Sequence, residues 1–232
     1  MDNAAQPKAL KILFIGNSAT SVNNVPYTLL RLAGKVGYDI EVATCTNGGY
    51  TLSQHADEST PYGQTVYEKI SNQYDIVFLQ ENCSCISNEV TRQNTKDACK
   101  KLNDAIIAAG GETYVYVRPP YGYPTAGYEP FEQCIELDKL FSEISSEVGT
   151  TNAYVNRAFA YAMEMEDCNF SLWGSDNAHT SAHGVYLVVC VMFATLFETS
   201  ATVLDHDTLP PEDALILQQI ADKIVLENHI PW

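Results

Sequence analysis

The feature that most constrains the fold of this chain is a set of short, almost continuously apolar segments. Residues 10–15 read Leu-Lys-Ile-Leu-Phe-Ile and stop abruptly at Gly16. A run of this kind is typical of a strand that is covered on both faces, as in a parallel sheet. Three further segments share the pattern and a fifth, weaker one completes the set: residues 40–43, 75–79, 113–117 and 153–155.

The segments between these strands have helical spacing. The clearest covers residues 95–109, where apolar side chains recur on one face before Gly110 and Gly111 end the pattern. Five other segments are predicted as helices: residues 26–36, 62–71, 131–148, 181–197 and 211–228. This alternation predicts an α/β fold, a three-layer α/β/α sandwich around a flavodoxin-like parallel sheet of about five strands.

The domain organisation follows from the absence of any repeat, low-complexity tract or linker along the sequence. We expect residues 1–8 to form an N-terminal tail and residues 9–232 to form a single domain, since one hydrophobic core can serve a chain of this length. In open sheets of this class, ligands bind beyond the carboxyl ends of the strands. The residues that directly follow each strand are therefore the candidates for function.

The charge balance restricts the class of partner. The 232 residues include 29 Asp and Glu against 13 Lys and Arg, a formal net charge of −16, which disfavours nucleic acid or an anionic membrane surface as a partner. No apolar run approaches the roughly 20 residues of a membrane span. The sequence predicts a soluble protein without membrane insertion, cytoplasmic or, if a signal peptide was removed, exported. It makes no prediction of oligomeric state.

The seven cysteines are an odd number dispersed through predicted strands and helices, so a disulfide framework describes the chain poorly. We expect most of them to be buried thiols. Cys83 and Cys85 could bind a metal, but no second pair stands at the spacing of a zinc site. We therefore predict neither a metal nor a cofactor.

The first chemical candidate is Ser18, in the tripeptide Gly16-Asn17-Ser18 that follows the first strand. This position places a hydroxyl at the mouth of the sheet, where a nucleophile would meet a ligand. A serine here could equally cap a turn or a helix. The tripeptide alone does not choose between these interpretations.

The second candidate lies near the other end of the chain, where Asp176 and His179 stand three residues apart before a strongly apolar helix. A hydroxyl nucleophile needs an imidazole to accept its proton, and the imidazole needs a carboxylate to orient it. Asp176 and His179 fit those roles. The alternative is an Asp turn followed by a helix cap around Thr180 and Ser181.

Taken together, these blocks resemble the SGNH (GDSL-like) hydrolase superfamily, in particular a little-characterised bacterial branch with a Gly-Asn-Ser first block. The resemblance implies Ser18 as nucleophile, His179 as base and Asp176 as its orienting acid. It also implies an oxyanion hole made by the backbone N–H groups of Ser18 and Gly49 with the side-chain amide of Asn82. The blocks span nearly the whole chain.

The sequence departs from the superfamily pattern in three places. The first block lacks the Gly-Asp-Ser-Leu form, and Thr180 follows the histidine where proline is frequent. Leu79-Gln-Glu-Asn82 replaces Gly-x-Asn-Asp, so Gln80 competes with Asn82 for the oxyanion role.

Aromatic and polar residues in the predicted loops are candidates for substrate binding, because rings around a shallow cleft suit sugars or small acyl groups. Loop packing explains them equally well. Glu81 and His183 receive no catalytic role. The substrate-binding candidates are Tyr50, His55, Gln80, Tyr121, Tyr123 and Trp173.

The residues favour hydrolysis of short acyl esters, with acetyl groups on carbohydrate as the expected substrate. Acyl transfer or lipase-like activity would use the same triad. A flavin- or nucleotide-binding module on the same fold is disfavoured, since the chain lacks both Gly-x-Gly-x-x-Gly and a P-loop. An α/β-hydrolase is disfavoured by the absence of a Gly-x-Ser-x-Gly elbow. A catalytically dead binding domain fits poorly because all three triad residues are present.

Overall fold

A computed structural model describes residues 9–232, so the predicted tail at residues 1–8 lies outside the described residues. Five strands alternate with helices along that part of the chain. The strands are β1 (Leu10–Gly16), β2 (Ile40–Thr46), β3 (Ile76–Leu79), β4 (Glu112–Val117) and β5 (Thr151–Tyr154). They form one sheet in the order β2-β1-β3-β4-β5, and every neighbouring pair is parallel. The predicted flavodoxin-like α/β fold is confirmed.

Nine α-helices are found in residues 9–232, and short 3₁₀ turns occupy residues 22–24, 83–86 and 201–203. The helices are α1 (Ser18–Ser21), α2 (Val25–Lys35), α3 (Leu52–His55), α4 (Pro61–Ile70), α5 (Glu89–Ala108), α6 (Pro130–Val148), α7 (Val155–Glu164), α8 (Ala182–Phe197) and α9 (Pro211–Val225).

Two hydrophobic layers cover the two faces of the sheet. Alternate residues of β1 enter opposite layers, with Ile12 and Phe14 in one and Leu13 and Ile15 in the other. The first layer is completed by α2, α7, α8 and α9, and the second by α3 to α6. The near-continuous apolar run at residues 10–15 is therefore explained by burial on both sides. That a single domain spans residues 9–232 stays a prediction.

Several predicted boundaries were wrong. Strand β5 ends at Tyr154, and Val155 begins α7, a helix that was not predicted. Val155 is fully buried in its helix, so its apolar character did not distinguish strand from helix. Helix α5 begins at Glu89, six residues before the predicted start, because Asn88 caps it and forms a capping box with Thr91.

No helix among the described residues is both long and apolar enough to cross a bilayer.

Candidate active site

The carboxyl ends of three neighbouring strands meet at one point of the sheet edge. Gly16, at the end of β1, is in register with Thr46 at the end of β2, and β3 pairs along the other side of β1. Ser18, Gly49 and Asn82 follow these three strands within three residues. The topology therefore brings the predicted nucleophile and both predicted oxyanion loops to the same edge.

The loop that carries Ser18 is held by Asn17, which is the N-cap residue of α1. Its Oδ1 accepts a hydrogen bond from the backbone N–H of Ala19 at 3.0 Å, which fixes the turn on which Ser18 stands. Its Nδ2 donates to the backbone carbonyl of Tyr50 at 2.9 Å. The loop that carries Gly49 is therefore tied directly to the loop that carries Ser18.

The loop with Asp176 and His179 is a tight hairpin-like turn. Residues Trp173 and Thr180 pair as an isolated antiparallel bridge, and the N–H of Gly174 donates to the carbonyl of His179 at 2.8 Å. Asp176 Oδ1 accepts the backbone N–H groups of Ala178 and His179, both at 3.0 Å. The Asp turn considered from the sequence is present, and it places the carboxylate beside the imidazole.

The three predicted triad residues form one hydrogen-bonded chain. The distance from Ser18 Oγ to His179 Nε2 is 2.9 Å, and the distance from His179 Nδ1 to Asp176 Oδ2 is 2.7 Å. An ionised carboxylate only accepts hydrogen bonds, so Nδ1 carries the proton and Nε2 of the neutral ring accepts the serine O–H. The imidazole is thereby oriented to take the hydroxyl proton.

The Asp176 carboxyl is stabilised in its ionised form. The hydrogen bond from the His179 ring holds its pKa well below the usual range, and the N–H groups of His179 and Ala178 add to this effect. Asp176 is half exposed, so local hydrogen bonds rather than burial govern its charge. It remains an anion wherever the protein is folded near neutral pH.

One contact between the two halves of the site was not predicted. Asn23 Nδ2 donates to the carbonyl of Thr180 at 2.6 Å, which joins the turn after α1 to the residue after His179. Asn23 has a φ of +63°, in the left-handed region that asparagine tolerates better than most residues. The Asn23-Asn24 pair in the sequence was the only signal that could have indicated this turn.

Three donors at this edge of the sheet have no acceptor within residues 9–232: the backbone N–H groups of Ser18 and Gly49, and Asn82 Nδ2. Asn82 Oδ1 accepts the N–H of Ser84 at 3.1 Å and the hydroxyl of Tyr121 at 3.2 Å. Asn82 is the N-cap residue of the 3₁₀ turn at residues 83–86. Because the backbone N–H of Ser84 needs an acceptor, the side-chain oxygen of Asn82, and not its nitrogen, must face that N–H. Its Nδ2 is left as the free donor.

Gln80 is a brace rather than a substrate contact or an oxyanion donor, so that part of the prediction was wrong. It is almost fully buried, its Oε1 accepts from Asn17 N at 2.9 Å and Thr20 Oγ1 at 3.0 Å, and its Nε2 donates to the Glu81 carbonyl. It also explains Gly16, since a Cβ there would approach Gln80 Oε1 to 2.7 Å.

His55 is likewise not positioned to touch a substrate, because its side chain is fully buried beneath the loop that carries Ser18. Its Nε2 donates to the carbonyl of Gly16 at 2.9 Å, and its ring lies between those of Tyr50 and Tyr62. Burial lowers the pKa of His55 to about 4. His55 is therefore a neutral support for the loop that carries Ser18.

The aromatic candidates combine packing with exposure. Trp173 Nε1 donates to the carbonyl of Pro120 at 3.0 Å, which braces the His179 loop. Tyr121 is held by Asn82 and stacks on Tyr123 with ring centroids 5.0 Å apart. Tyr123 is 40% exposed and is the most exposed of the candidate rings. Packing between loops thus accounts for most of these side chains. This was the alternative to substrate binding in the sequence analysis.

Cys83 and Cys85 lie in the 3₁₀ turn after Asn82, where burial raises the pKa of both thiols and keeps them protonated. Among residues 9–232, no group of three His, Cys, Asp or Glu side chains is arranged to hold a metal ion.

Comparison with known proteins places this geometry in context. No family model matches the sequence, and no curated protein matches it either. Solved structures do match. A protein from Slackia heliotrinireducens, provisionally assigned as an SGNH hydrolase, is 25% identical with a TM-score of 0.68 over 82% of this chain and 100% of its own.

Two further structures share the fold at lower identity. A DUF4886 family protein from Bacteroides uniformis is 15% identical with a TM-score of 0.80, covering 96% of this chain and 97% of its own. A catalytic mutant of the acetylxylan esterase Axe2 from Geobacillus stearothermophilus is 11% identical with a TM-score of 0.58, covering 81% and 94%. This fold and the match to the Slackia protein confirm the predicted resemblance to the SGNH (GDSL-like) hydrolase superfamily.

Proposed function

We propose that this protein is a serine esterase in which Ser18 forms an acyl-enzyme intermediate. The observation that carries the proposal is the continuous hydrogen-bonded chain from Ser18 Oγ through the His179 ring to Asp176. His179 takes the serine proton as Ser18 Oγ attacks the ester carbonyl, and then gives it to the leaving alcohol. A water activated by the same imidazole releases the acid. Asp176 stabilises the imidazolium that forms in each step.

The tetrahedral intermediate needs donors for the charge that develops on the carbonyl oxygen. The N–H groups of Ser18 and Gly49 and Nδ2 of Asn82 are proposed for this role, because all three are unpaired and follow neighbouring strands. Acyl transfer to another acceptor would use the same groups. Hydrolysis is the proposed reaction because water is always present.

The Asn82 donor can be tested by replacing Asn82 with alanine. We expect kcat to fall by about 10²- to 10³-fold, equivalent to about 2.7–4 kcal/mol, because one preorganised donor is lost. KM for a p-nitrophenyl ester should change little, since the interaction is made mainly in the transition state. Asn72→Ala, at an exposed position after α4, is the control. Unchanged kcat in folded Asn82→Ala protein would remove Asn82 from the oxyanion hole.

For the substrate we propose short acyl esters, in particular acetyl groups on carbohydrate. The hollow bounded by Ser18, His179, Tyr116, Arg118 and Pro119 has a volume of only about 10 Å³, roughly the room of one water molecule. The exposed ring of Tyr123 offers a surface on which a sugar can stack. One fold neighbour is named as an acetylxylan esterase, and another as a lipase/acylhydrolase, so the fold alone accommodates both classes.

The acyl preference is tested by comparing kcat/KM for acetyl, butyryl, octanoyl and palmitoyl p-nitrophenyl esters, followed by acetylated glycans. We expect acetyl esters to be the best substrates, because a long acyl chain gains about 0.8 kcal/mol per methylene only where a channel buries it. A monotonic rise of kcat/KM with chain length would contradict the proposal. It would favour the lipase-like alternative.

A further inference from the structure

A buried carboxylate that has no part in the triad lies directly before Asn82. Glu81 is 2% exposed, and no Lys, Arg or His of residues 9–232 lies within ion-pair distance of it. A buried carboxylate without a cationic partner is costly, so its hydrogen bonds must account for its place in the fold. The sequence analysis gave Glu81 no catalytic role.

The contacts of Glu81 join the two loops proposed to build the oxyanion hole. Oε2 accepts the backbone N–H of Leu52 at 2.9 Å and the hydroxyl of Thr95 at 3.4 Å, and Oε1 accepts the backbone N–H of Asn82 at 2.5 Å. Leu52 begins α3, three residues after Gly49. One carboxylate thus holds the backbone of the Gly49 loop and the backbone of Asn82 itself.

These contacts select the ionised form of Glu81. The backbone N–H groups of Leu52 and Asn82 donate to the two oxygens, and such hydrogen bonds are roughly twice as strong to an ionised carboxylate as to a neutral carboxyl. Burial works in the opposite direction and raises the pKa of Glu81 to about 7. The hydrogen bonds from Asn82, Leu52 and Thr95 each lower it.

The other titratable and charged groups around Glu81 come from three neighbouring elements. Arg118, at the end of β4, lowers the pKa of Glu81 through its positive charge. The thiols of Cys83 and Cys85 in the following 3₁₀ turn and of Cys99 on α5 face the carboxyl, and burial keeps all three protonated. A hollow of about 100 Å³ is lined by Glu81 and by hydroxyl side chains that include Thr51, Ser53 and Thr91. Glu81 is therefore the group of this cluster that titrates near neutral pH.

We propose that ionised Glu81 is a positioning residue. It holds the loops that carry Gly49 and Asn82 so that their donors face the same point as the backbone N–H of Ser18. The inference rests on the proposed esterase function. When Glu81 gains a proton, its hydrogen bonds to both backbone N–H groups weaken, and the two loops are held less firmly. A displacement of about 1 Å in such a site can cost about 10²-fold in rate.

The direction of the pH effect follows from the raised pKa. In the folded protein Glu81 takes up a proton as the pH falls through about 7, above the range of an ordinary glutamic acid. Protonation of Glu81 therefore lowers the rate as the pH falls through this value.

The test is the pH profile of kcat for the wild-type enzyme and for Glu81→Gln, with a p-nitrophenyl acetate substrate. We expect Glu81→Gln to lower kcat by about 10- to 100-fold with KM within about threefold. The ratio of wild-type kcat to Glu81→Gln kcat should fall as the pH drops through about 7. A wild-type kcat that does not change as the pH falls through about 7 overturns the proposal, and this measurement needs no variant. Wild-type kcat in folded Glu81→Gln overturns it equally.

The control is Asp138→Asn, which removes another buried carboxylate, 8% exposed and paired with Arg157 on α7. It should lower Tm but leave kcat and its pH dependence unchanged, because Asp138 contacts neither oxyanion loop. Labelling of Ser18 by a fluorophosphonate distinguishes failure of the Glu81 proposal from failure of the esterase proposal. If the wild-type enzyme is labelled and turns over ester but keeps its kcat as the pH falls through about 7, the role of Glu81 fails alone. If it is neither labelled nor active, the esterase proposal fails.

Discussion

Replacing Ser18 by alanine is expected to reduce esterase turnover by about 10⁶-fold while leaving the fold intact, since loss of a triad nucleophile costs about that much in kcat. The hydroxyl is half-buried and its only side-chain partner within residues 9–232 is the His179 ring. Its removal therefore changes little besides the reaction. Initial rates on p-nitrophenyl acetate, with circular dichroism for folding, measure the effect.

The matched control is Ser21→Ala, at the last residue of the same short helix, where the hydroxyl is exposed and makes only a long contact to the Asn17 carbonyl. This variant should retain wild-type turnover. If folded Ser18→Ala protein keeps turnover close to that of Ser21→Ala, the nucleophile has been misassigned.

Replacing His179 by alanine is expected to cause a loss of similar size, about 10⁶-fold in kcat, because Ser18 then has no base. The two losses should not add. Since nucleophile and base act as one unit, the double variant Ser18→Ala/His179→Ala should be no slower than either single variant. The same rate assay, with the uncatalysed background subtracted, measures all three proteins.

His183→Gln is the control for His179. His183 lies in the first turn of α8 and also pairs with a carboxylate, Asp213, at 2.9 Å, but no hydroxyl stands at its other side. Its replacement should leave kcat within about threefold of wild type, as most changes outside a site do. A severe loss of kcat in His183→Gln, with near-normal turnover in His179→Ala, would show that His183 and not His179 is the base.

The order of elements and the position of the site could be predicted from sequence because both depend on local pattern. Continuous apolar runs identify strands buried on two faces, and the residues after such strands meet at one edge of a parallel sheet. Ser18, Gly49 and Asn82 were found in this way together with the superfamily resemblance. The spacing of Asp176 and His179 was informative because a turn that close places one side chain beside the other.

The remaining features depend on contacts between distant parts of the chain. Gln80 and His55 were proposed as substrate contacts, but both are buried and their hydrogen bonds hold the loop that carries Ser18 from below. Polar residues after a strand look alike in sequence whether they face the ligand or the core. Asn23 and Glu81 were given no role for the same reason, because their partners lie 157 and 29 residues away.

The measurement that tests the central claim most directly is the site of covalent labelling. The enzyme is treated with a fluorophosphonate, digested, and analysed by mass spectrometry. We predict one adduct per chain, on Ser18, that is absent from Ser18→Ala and strongly slowed in His179→Ala, because only a serine activated by its imidazole reacts readily. An adduct on another residue, or ester turnover by wild-type enzyme that resists labelling, would contradict it.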